Sequence, residues 1–187
     1  MNQRVRQLLA ILESHGSRIH VLLTRLTMCE STAEDLLQEL FLRLSKSESF
    51  GNARDQTAYA IRTATNLAFE WRRIQQKRVR SESLTDDPVA PTSSPDDSLE
   101  RRESCAQVLH ALDQLSEISR QVIVLHRLEE QSYESIAAQL QKTPHQVRAI
   151  CSKGVAQLRQ ILADPTNPHL SGSSTPSLRE GDSNQRR

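Results

Sequence analysis

At 187 residues, the chain is long enough for one domain or two small ones. Its three cysteines show no paired spacing, which argues against a disulfide framework or a zinc site and fits a reducing cytoplasm. No apolar run is long enough to span a membrane, and no cleavage site follows the short run at 8–12, so we expect a cytoplasmic protein without membrane insertion. The formal net charge of +1 hides a strong segregation of charge along the chain.

The first clear helical element begins near Ser31. Ser31 and Glu34 have the spacing of a capping box, which predicts the helix start. Apolar residues at helical spacing define its buried face: Ala33, Leu36, Leu37, Leu40, Phe41 and Leu44. The other face carries Glu34, Asp35, Gln38, Glu39, Leu42 and Arg43. A leucine among carboxylates and an amide suits a partner-binding surface, although an ordinary solvated helix face has the same composition.

A second helix is predicted over 57–80. Its buried side is formed by Ile61, Ala64, Ala68 and Trp71. Its basic C-terminal half presents Arg72, Arg73, Lys77 and Arg78. A phosphate backbone is the most suitable target for such a cluster. Basic residues are also favoured at helix C-termini by the macrodipole, which requires no ligand.

Residues 81–104 are predicted to form a flexible acidic linker. Pro88, Pro91 and Pro95 interrupt any helical period, and the segment has little apolar surface to bury. Its carboxylates follow the basic helix end directly and are expected to fold back and shield it from non-specific DNA. Residues 164–187 are predicted to be a disordered tail. The expected fold is therefore all-α, with two small helical domains at 1–80 and 105–163.

The second domain is predicted to contain a helix-turn-helix. Ser132 can cap a first helix whose buried face contains Ile136, Ala137 and Leu140. Thr143, Pro144 and Gln146 form the start signal of a second helix. With Val147, Cys151 and Leu158 facing inward, the side chains available to a major groove are His145, Gln146, Arg148, Ala149, Ser152 and Lys153. A two-helix corner with a solvated face remains the alternative.

No catalytic motif or phosphate-binding glycine-rich loop occurs, so we expect no enzyme and no cofactor. His15 and His20 are five residues apart and do not share a helical face, which argues against a metal site.

Taken in order, these elements resemble the bacterial RNA polymerase sigma factors of the extracytoplasmic-function (ECF) type. Segment 33–44 is similar to the polymerase clamp-binding part of that family's region 2, with its Asp-x-x-Gln-Glu pattern at Asp35, Gln38 and Glu39. Segment 58–73 resembles the helix that recognises and helps to open the minus-ten promoter element. Segments 115–125 and 131–137 resemble region 4, which reads the minus-thirty-five element.

The resemblance implies an alternative sigma factor that binds core RNA polymerase and directs promoter recognition and transcription initiation. Its implied polymerase contacts are Asp35, Gln38, Glu39 and Leu42. Its implied minus-ten contacts are Phe50, Asn52, Arg62, Asn66, Arg72, Arg73 and Lys77. In region 4, the implied contacts to the major groove are His145, Gln146, Arg148, Ser152 and Lys153. A monomer is expected in the free state, and an anti-sigma factor stays open as a further partner.

Several positions depart from the family pattern. Ser116 stands where the family usually has Pro, Gln141 where it has Gly, Thr65 where it has Arg, and Glu70 where it has Asp. Ala149, Ile150 and Cys151 replace its Ser-Arg-Leu. Two other functions remain open: a free-standing helix-turn-helix repressor or activator, and a degenerate sigma-like adaptor that binds polymerase or an inhibitor without reading DNA.

Overall fold

The computed structural model describes residues 3–82 and 97–164, and all regular secondary structure in these ranges is helical. This confirms the all-α prediction. The helices, in chain order, are α1 (Gln3–Thr27), α2 (Glu30–Lys46), α3 (Glu48–Gly51), α4 (Gln56–Glu82), α5 (Asp97–Asp113), α6 (Glu117–Arg127), α7 (Tyr133–Leu140) and α8 (Pro144–Ala163). None of these described helices is both long and apolar enough to cross a membrane. Most of the predicted linker and the predicted tail, at 83–96 and 165–187, lie outside the described residues.

Helices α1–α4 form a first unit in which α1 packs against both α2 and α4. The sequence analysis did not predict α1, although its apolar residues follow a helical stripe through Leu8, Ile19, Leu22 and Leu26, all at most 1% exposed. The predicted stripe of α2 faces them, with Ala33, Leu36, Leu40 and Leu44 buried and Leu37 and Phe41 half-buried. The hydrophobic burial of these facing stripes holds the first unit together.

The predicted capping box at Ser31 and Glu34 is wrong. Helix α2 begins at Glu30, and its N-cap is Cys29, whose side chain makes no capping hydrogen bond. The Thr27 hydroxyl fixes the corner instead, by donating to the carbonyl oxygens of Leu23 at 2.8 Å and Cys29 at 3.0 Å. Met28 turns the chain there in the left-handed region, with φ 59°. The corner is therefore set before Ser31 is reached.

The linker prediction is wrong for 97–104, which belong to α5. Pro95 is the last proline of the segment, so nothing beyond it interrupts the helical hydrogen bonds. The proline-rich composition ends eight residues before the predicted boundary, and the helix begins there.

Helices α5–α8 form a second unit, in which α6 packs against α7 and α8, and α5 packs against α8. Helix α6 is buried along 119–125, as expected for a central helix surrounded by others. Its N-cap is Ser116, which accepts a hydrogen bond from the Ser119 backbone N–H at 3.3 Å. A serine cap thus begins α6 where the family usually has proline.

The helix-turn-helix prediction is confirmed at both helix starts. The Ser132 hydroxyl accepts from the Ser135 N–H at 3.1 Å and caps α7. At α8, the Thr143 hydroxyl accepts from the Gln146 N–H at 3.2 Å, while the Gln146 side-chain oxygen accepts from the Thr143 N–H at 2.9 Å. This is a complete capping box with Pro144 in the first turn.

Replacing Thr143 with Ala should lower the free energy of unfolding by about 1 kcal/mol, because an N–H at the start of α8 loses its acceptor. The measurement is urea unfolding followed by circular dichroism. Ser31→Ala is the matched control, since Ser31 lies within the first turn of α2 and its hydroxyl contacts the Cys29 sulfur, at 3.3 Å; we expect it to change stability by less than about 0.5 kcal/mol. Equal effects of the two substitutions would contradict the assigned cap.

The turn between α7 and α8 is made without glycine. Gln141 adopts a left-handed conformation, with φ 53° and ψ 44°, and its N–H donates to the Ala137 carbonyl. A non-glycine residue is disfavoured in this region by contact between Cβ and the backbone.

Replacing Gln141 with Gly should therefore raise the free energy of unfolding, by about 0.5–1 kcal/mol after the higher entropy of unfolded glycine is subtracted. The neighbouring Lys142→Gly provides the comparison, because Lys142 does not have a positive φ and should only lose stability. Chemical denaturation of both variants measures the difference. A loss of stability in Gln141→Gly would refute the argument.

Candidate protein and nucleic-acid interfaces

The outward face of α2 contains the four residues predicted to bind polymerase. Asp35, Gln38, Glu39 and Leu42 are spaced so that they lie on one side of the helix. Leu42 is 50% exposed and is one of the large apolar side chains that solvent reaches. Glu39 is half-buried and pairs with Arg43 at 3.2 Å, and Arg43 reaches Glu70 on α4 at 3.0 Å. The structure therefore places the four residues on one face of α2, with Leu42 as its exposed apolar member.

The loop after α2 does not present Phe50 as predicted. Ser47 caps the short helix α3 by accepting from the Phe50 N–H at 3.1 Å, and this turn directs the Phe50 ring into the core. Phe50 is 0% exposed, and its ring centroid lies 6.1 Å from that of Tyr59. Phe50 is therefore a core residue, and its assignment as a DNA contact was wrong. Asn52, two residues later, is exposed as expected.

Tyr59 and Arg54 are candidate DNA contacts that the sequence analysis missed. Tyr59 is half-buried, and the Arg62 guanidinium lies 5.1 Å from its ring centroid. A cleft of about 1350 Å³ lies between the α3–α4 loop and α7. Its lining includes Tyr59, Arg62, Asn52 and the exposed Arg54. The available signal was Asp55, whose carboxylate accepts from the Ala58 N–H at 2.8 Å and places Tyr59 in the first turn of α4.

The basic residues of α4 have different environments. Arg72 points inward and donates to the Leu26 carbonyl at 3.4 Å; burial lowers the pKa of Arg72, and Asp113 opposes this. Its assignment to DNA is corrected, since its guanidinium binds α1. Arg73 is half exposed and pairs with Asp113 at 2.9 Å, while Lys77 and Arg78 are exposed. Among the described side chains in the C-terminal half of this helix, Arg73, Lys77 and Arg78 are therefore the cations that point outward.

Asn66 lies against the second unit. Its amide nitrogen donates to Glu117 at 2.9 Å, and its amide oxygen accepts from Gln121 at 3.0 Å. Both partners belong to α6, so the oxygen and the nitrogen of the amide predicted to contact promoter DNA are each hydrogen-bonded within the chain.

The polar face of α8 is open. His145, Gln146, Arg148, Ser152 and Lys153 are all exposed, as the helix-turn-helix prediction requires. The Arg148 guanidinium lies 5.3 Å from the Tyr133 ring centroid, so α7 helps to position it. Gln146 uses its side-chain oxygen in the cap. On the inner face, a Cβ at Gly154 would come within 2.8 Å of Ile123 Cδ1, so glycine permits the close packing of α8 on α6.

One group of potential metal ligands occurs among the described residues, where none was predicted. His20 on α1 and Glu30 and Glu34 on α2 have ligand atoms within 4.8 Å of one another. The corner between the helices brings them together, which spacing along the sequence does not reveal. Both carboxylates are exposed, and only their proximity suggests an ion.

Comparison with known proteins gives the same organisation. The family model for sigma-70 region 2 matches residues 11–78, and the model for sigma-70 region 4 matches residues 105–158. RNA polymerase sigma factor CarQ of Myxococcus xanthus is 31% identical over 157 residues, which cover 80% of this chain and 86% of CarQ. The RNA polymerase sigma-E factor of Streptomyces avermitilis is 31% identical over 132 residues, which cover 70% of each chain.

The ECF RNA polymerase sigma factor SigE of Mycolicibacterium smegmatis is also similar, at 31% identity over 156 residues. The match covers 82% of this chain and 60% of that relative's length. Both family models fall on the helical units described above, region 2 on α1–α4 and region 4 on α5–α8. The chain therefore belongs to the RNA polymerase sigma factors of the extracytoplasmic-function type, which direct transcription initiation at promoters.

Proposed function

We propose that this sigma factor docks on core RNA polymerase through Asp35, Gln38, Glu39 and Leu42. The observation that carries this proposal is the half-exposed Leu42 on the same face of α2 as Asp35, Gln38 and Glu39. An apolar anchor gains from burial at the centre of an interface, while the carboxylates steer the approach to a basic partner surface. None of the contacts between the two units in the described residues involves this face.

The first unit would bind the minus-ten element. Asn52, Tyr59 and Arg62 line one cleft, in which an unstacked base can lie against the tyrosine ring. Stacking and hydrogen bonds to base edges offset the few kcal/mol that extruding a base costs. Lys77 continues along α4 and would follow the backbone. Asn66 and Arg73 would join it by exchanging their contacts with α6 and Asp113 for contacts with the nucleic acid. Phe50 and Arg72 are left out of this interface because both point into the protein.

The second unit would bind the minus-thirty-five element. Its exposed α8 residues His145, Arg148, Ser152 and Lys153 are placed to enter a major groove. Neutral side chains would read base edges, and the arginine would contact a guanine or a phosphate. The chain between the units keeps the second near its element once the first has bound, which raises its effective concentration.

The wider proposal is a cytoplasmic monomer that performs no chemistry on a substrate and acts by recruitment. An anti-sigma factor would be a further partner, and the exposed α2 face is one surface that it could cover.

Reconstituted transcription tests the function. Purified chain and core polymerase are incubated with a library of duplexes, and the transcripts are sequenced. We expect transcripts to start downstream of shared minus-ten and minus-thirty-five sequences, and core polymerase alone to give none. If the chain co-purifies with core polymerase but transcripts do not start at shared sequences, the sigma activity proposed here is wrong. The chain would then be an adaptor that binds polymerase without reading DNA.

A further inference from the structure

Tyr133 has a fixed position at the start of the helix-turn-helix. It is the first residue of α7, directly after the Ser132 cap, and its half-buried ring packs against the hydrophobic core. The ring stacks on that of His126 in the last turn of α6, with the two centroids 4.2 Å apart and the planes 27° from parallel. Tyr133 therefore joins the end of α6 to the first turn of α7.

The His126 ring is itself held in one orientation. Its Nδ1 atom lies 2.9 Å from the backbone oxygen of Gln131, in the turn between α6 and α7. A carbonyl oxygen only accepts hydrogen bonds, so Nδ1 carries the hydrogen and donates it. The ring that stacks on Tyr133 is thus tied to the backbone, and Tyr133 has little freedom to tilt on that side.

Two residues of α8, Arg148 and Cys151, also meet Tyr133. The Arg148 guanidinium lies 5.3 Å from the ring centroid, within the range of about 6 Å for a cation–π contact. Burial raises the pKa of Tyr133, and a hydrogen bond between its side chain and that of Cys151 adds to the rise. Positions 148 and 151 are neighbours on one side of the helix, because they are three residues apart. Tyr133 therefore sets both how α8 lies against α7 and where Arg148 sits.

The contact with Tyr133 matters because Arg148 is exposed. An unrestrained arginine has many rotamers, and most of them must be given up when the side chain binds a partner. A cation–π contact restrains the guanidinium without using the N–H groups that would donate to a base edge or a phosphate. The Tyr133 ring therefore orders Arg148 before DNA arrives and leaves those donors for the nucleic acid.

We propose that Tyr133 is a positioning residue for promoter recognition, whose ring holds Arg148 in the conformation that binds the minus-thirty-five element. The proposal rests on the proposed function, in which Arg148 enters the major groove. Tyr133 acts through Arg148 and does not itself bind DNA. Because the fixed ring lowers the cost of ordering Arg148, it strengthens promoter binding whether Arg148 contacts a base or a phosphate.

Variants of the full chain separate this role from direct DNA binding. Tyr133→Leu removes the aromatic ring but keeps an apolar side chain against the core, whereas Tyr133→Phe keeps the ring and loses only the hydroxyl. Each is combined with Arg148→Ala in a double-mutant cycle, which isolates the effect that passes through Arg148. Leu158→Ala controls for loosened packing, because Leu158 is half-buried about three turns further along α8. If Tyr133→Leu does not fold, Tyr133→Met replaces it, since methionine fills irregular space.

Each variant is assembled with core polymerase, and its affinity is measured by fluorescence anisotropy on a labelled duplex that the transcription library yields as a promoter. Circular dichroism confirms that each variant is folded. We expect Tyr133→Leu to weaken binding ~2- to 10-fold, the effect of losing the prior order of one long side chain. Tyr133→Phe should bind like the parent, and so should Leu158→Ala. In the Arg148→Ala background, Tyr133→Leu should cause no further loss.

Parental affinity in Tyr133→Leu, while Arg148→Ala weakens binding, would overturn the positioning role. The same loss from Tyr133→Leu with and without Arg148 would also overturn it, because the ring would then act on DNA or on the fold directly. A loss in Tyr133→Phe as large as in Tyr133→Leu would overturn the role of the ring in favour of the hydroxyl. If Arg148→Ala itself binds like the parent, the assignment of Arg148 in the proposed function is wrong, and Tyr133 has nothing to position.

Discussion

A sigma factor carrying both Leu42→Arg and Asp35→Arg should no longer co-purify with core RNA polymerase. Leu42 is 50% exposed at the C-terminal end of the α2 face, and a side chain that acts as a hot spot of an interface contributes about 2 kcal/mol or more, about 30-fold in affinity. Arginine at position 35 would also replace an attractive charge by a repulsive one toward a basic partner. Together, the losses should take binding below detection in affinity capture on immobilised core polymerase.

The matched control is Val21→Arg. Val21 lies on α1, is 47% exposed and is the same kind of solvent-facing apolar residue, but it lies outside the proposed α2 face. Its substitution should leave capture unchanged. Circular dichroism should show the same helix content in all variants, because positions 35 and 42 point away from the core. Capture of the folded double mutant at the parent's level would refute the assignment of this face.

The helices that the sequence predicted well are those with strong periodicity and local start signals. The stripe of α2 and the cap of α8 at Thr143 and Gln146 can be read directly, because both depend on residues within four positions of one another. The start of α2 was missed for a related reason. Thr27 lies in the preceding helix, yet its hydroxyl fixes the corner and overrides the nearby Ser31.

The candidate sites were predicted less well than the helices, because exposure depends on packing between elements. Phe50 and Arg72 have side chains of the expected chemistry at suitable positions, yet one ring enters the core and one guanidinium binds the Leu26 carbonyl. Tyr59 was overlooked because only the fold places it beside Arg62 and the α3–α4 loop. Local patterns predict which face of a helix is polar, but not what the polar face contacts.

Contacts between the two units were beyond the reach of sequence patterns. Arg120 is a charged residue in a helix, and nothing near it in sequence predicts that only 3% of its surface is exposed. Its environment comes from Phe69 and Asp113, which belong to different helices. The segregation of charge was recognised correctly, with a basic α4 followed by acidic residues. The described carboxylates that neutralise it lie farther along the chain than the linker, in helices that fold against it.

One departure from the family pattern, Ile150, changes what the second unit offers to DNA. Ile150, which stands where the family usually has arginine, is half-buried against the core, so it adds to packing and offers no charge to DNA. Arg148 is then the cation that α8 presents nearest its N-terminus, and it is held over Tyr133. Reading of the minus-thirty-five element should therefore depend more on this one side chain than it would in a relative that has both arginines.

Replacing Arg148 with Ala should accordingly weaken promoter binding by the polymerase holoenzyme by about 1–3 kcal/mol, or ~5- to 150-fold. Filter binding to duplexes with every base varied in turn at the minus-thirty-five element measures the loss. If Arg148 contacts a guanine, preference should relax at one base pair; if it contacts a phosphate, all sequences should weaken equally and the salt slope should fall by about 1. Arg159→Ala, an exposed arginine about three turns further along α8, controls for the loss of one positive charge and should have little effect. Unchanged binding by Arg148→Ala, or an equal loss in both variants, would show that α8 does not enter the groove through its N-terminal half.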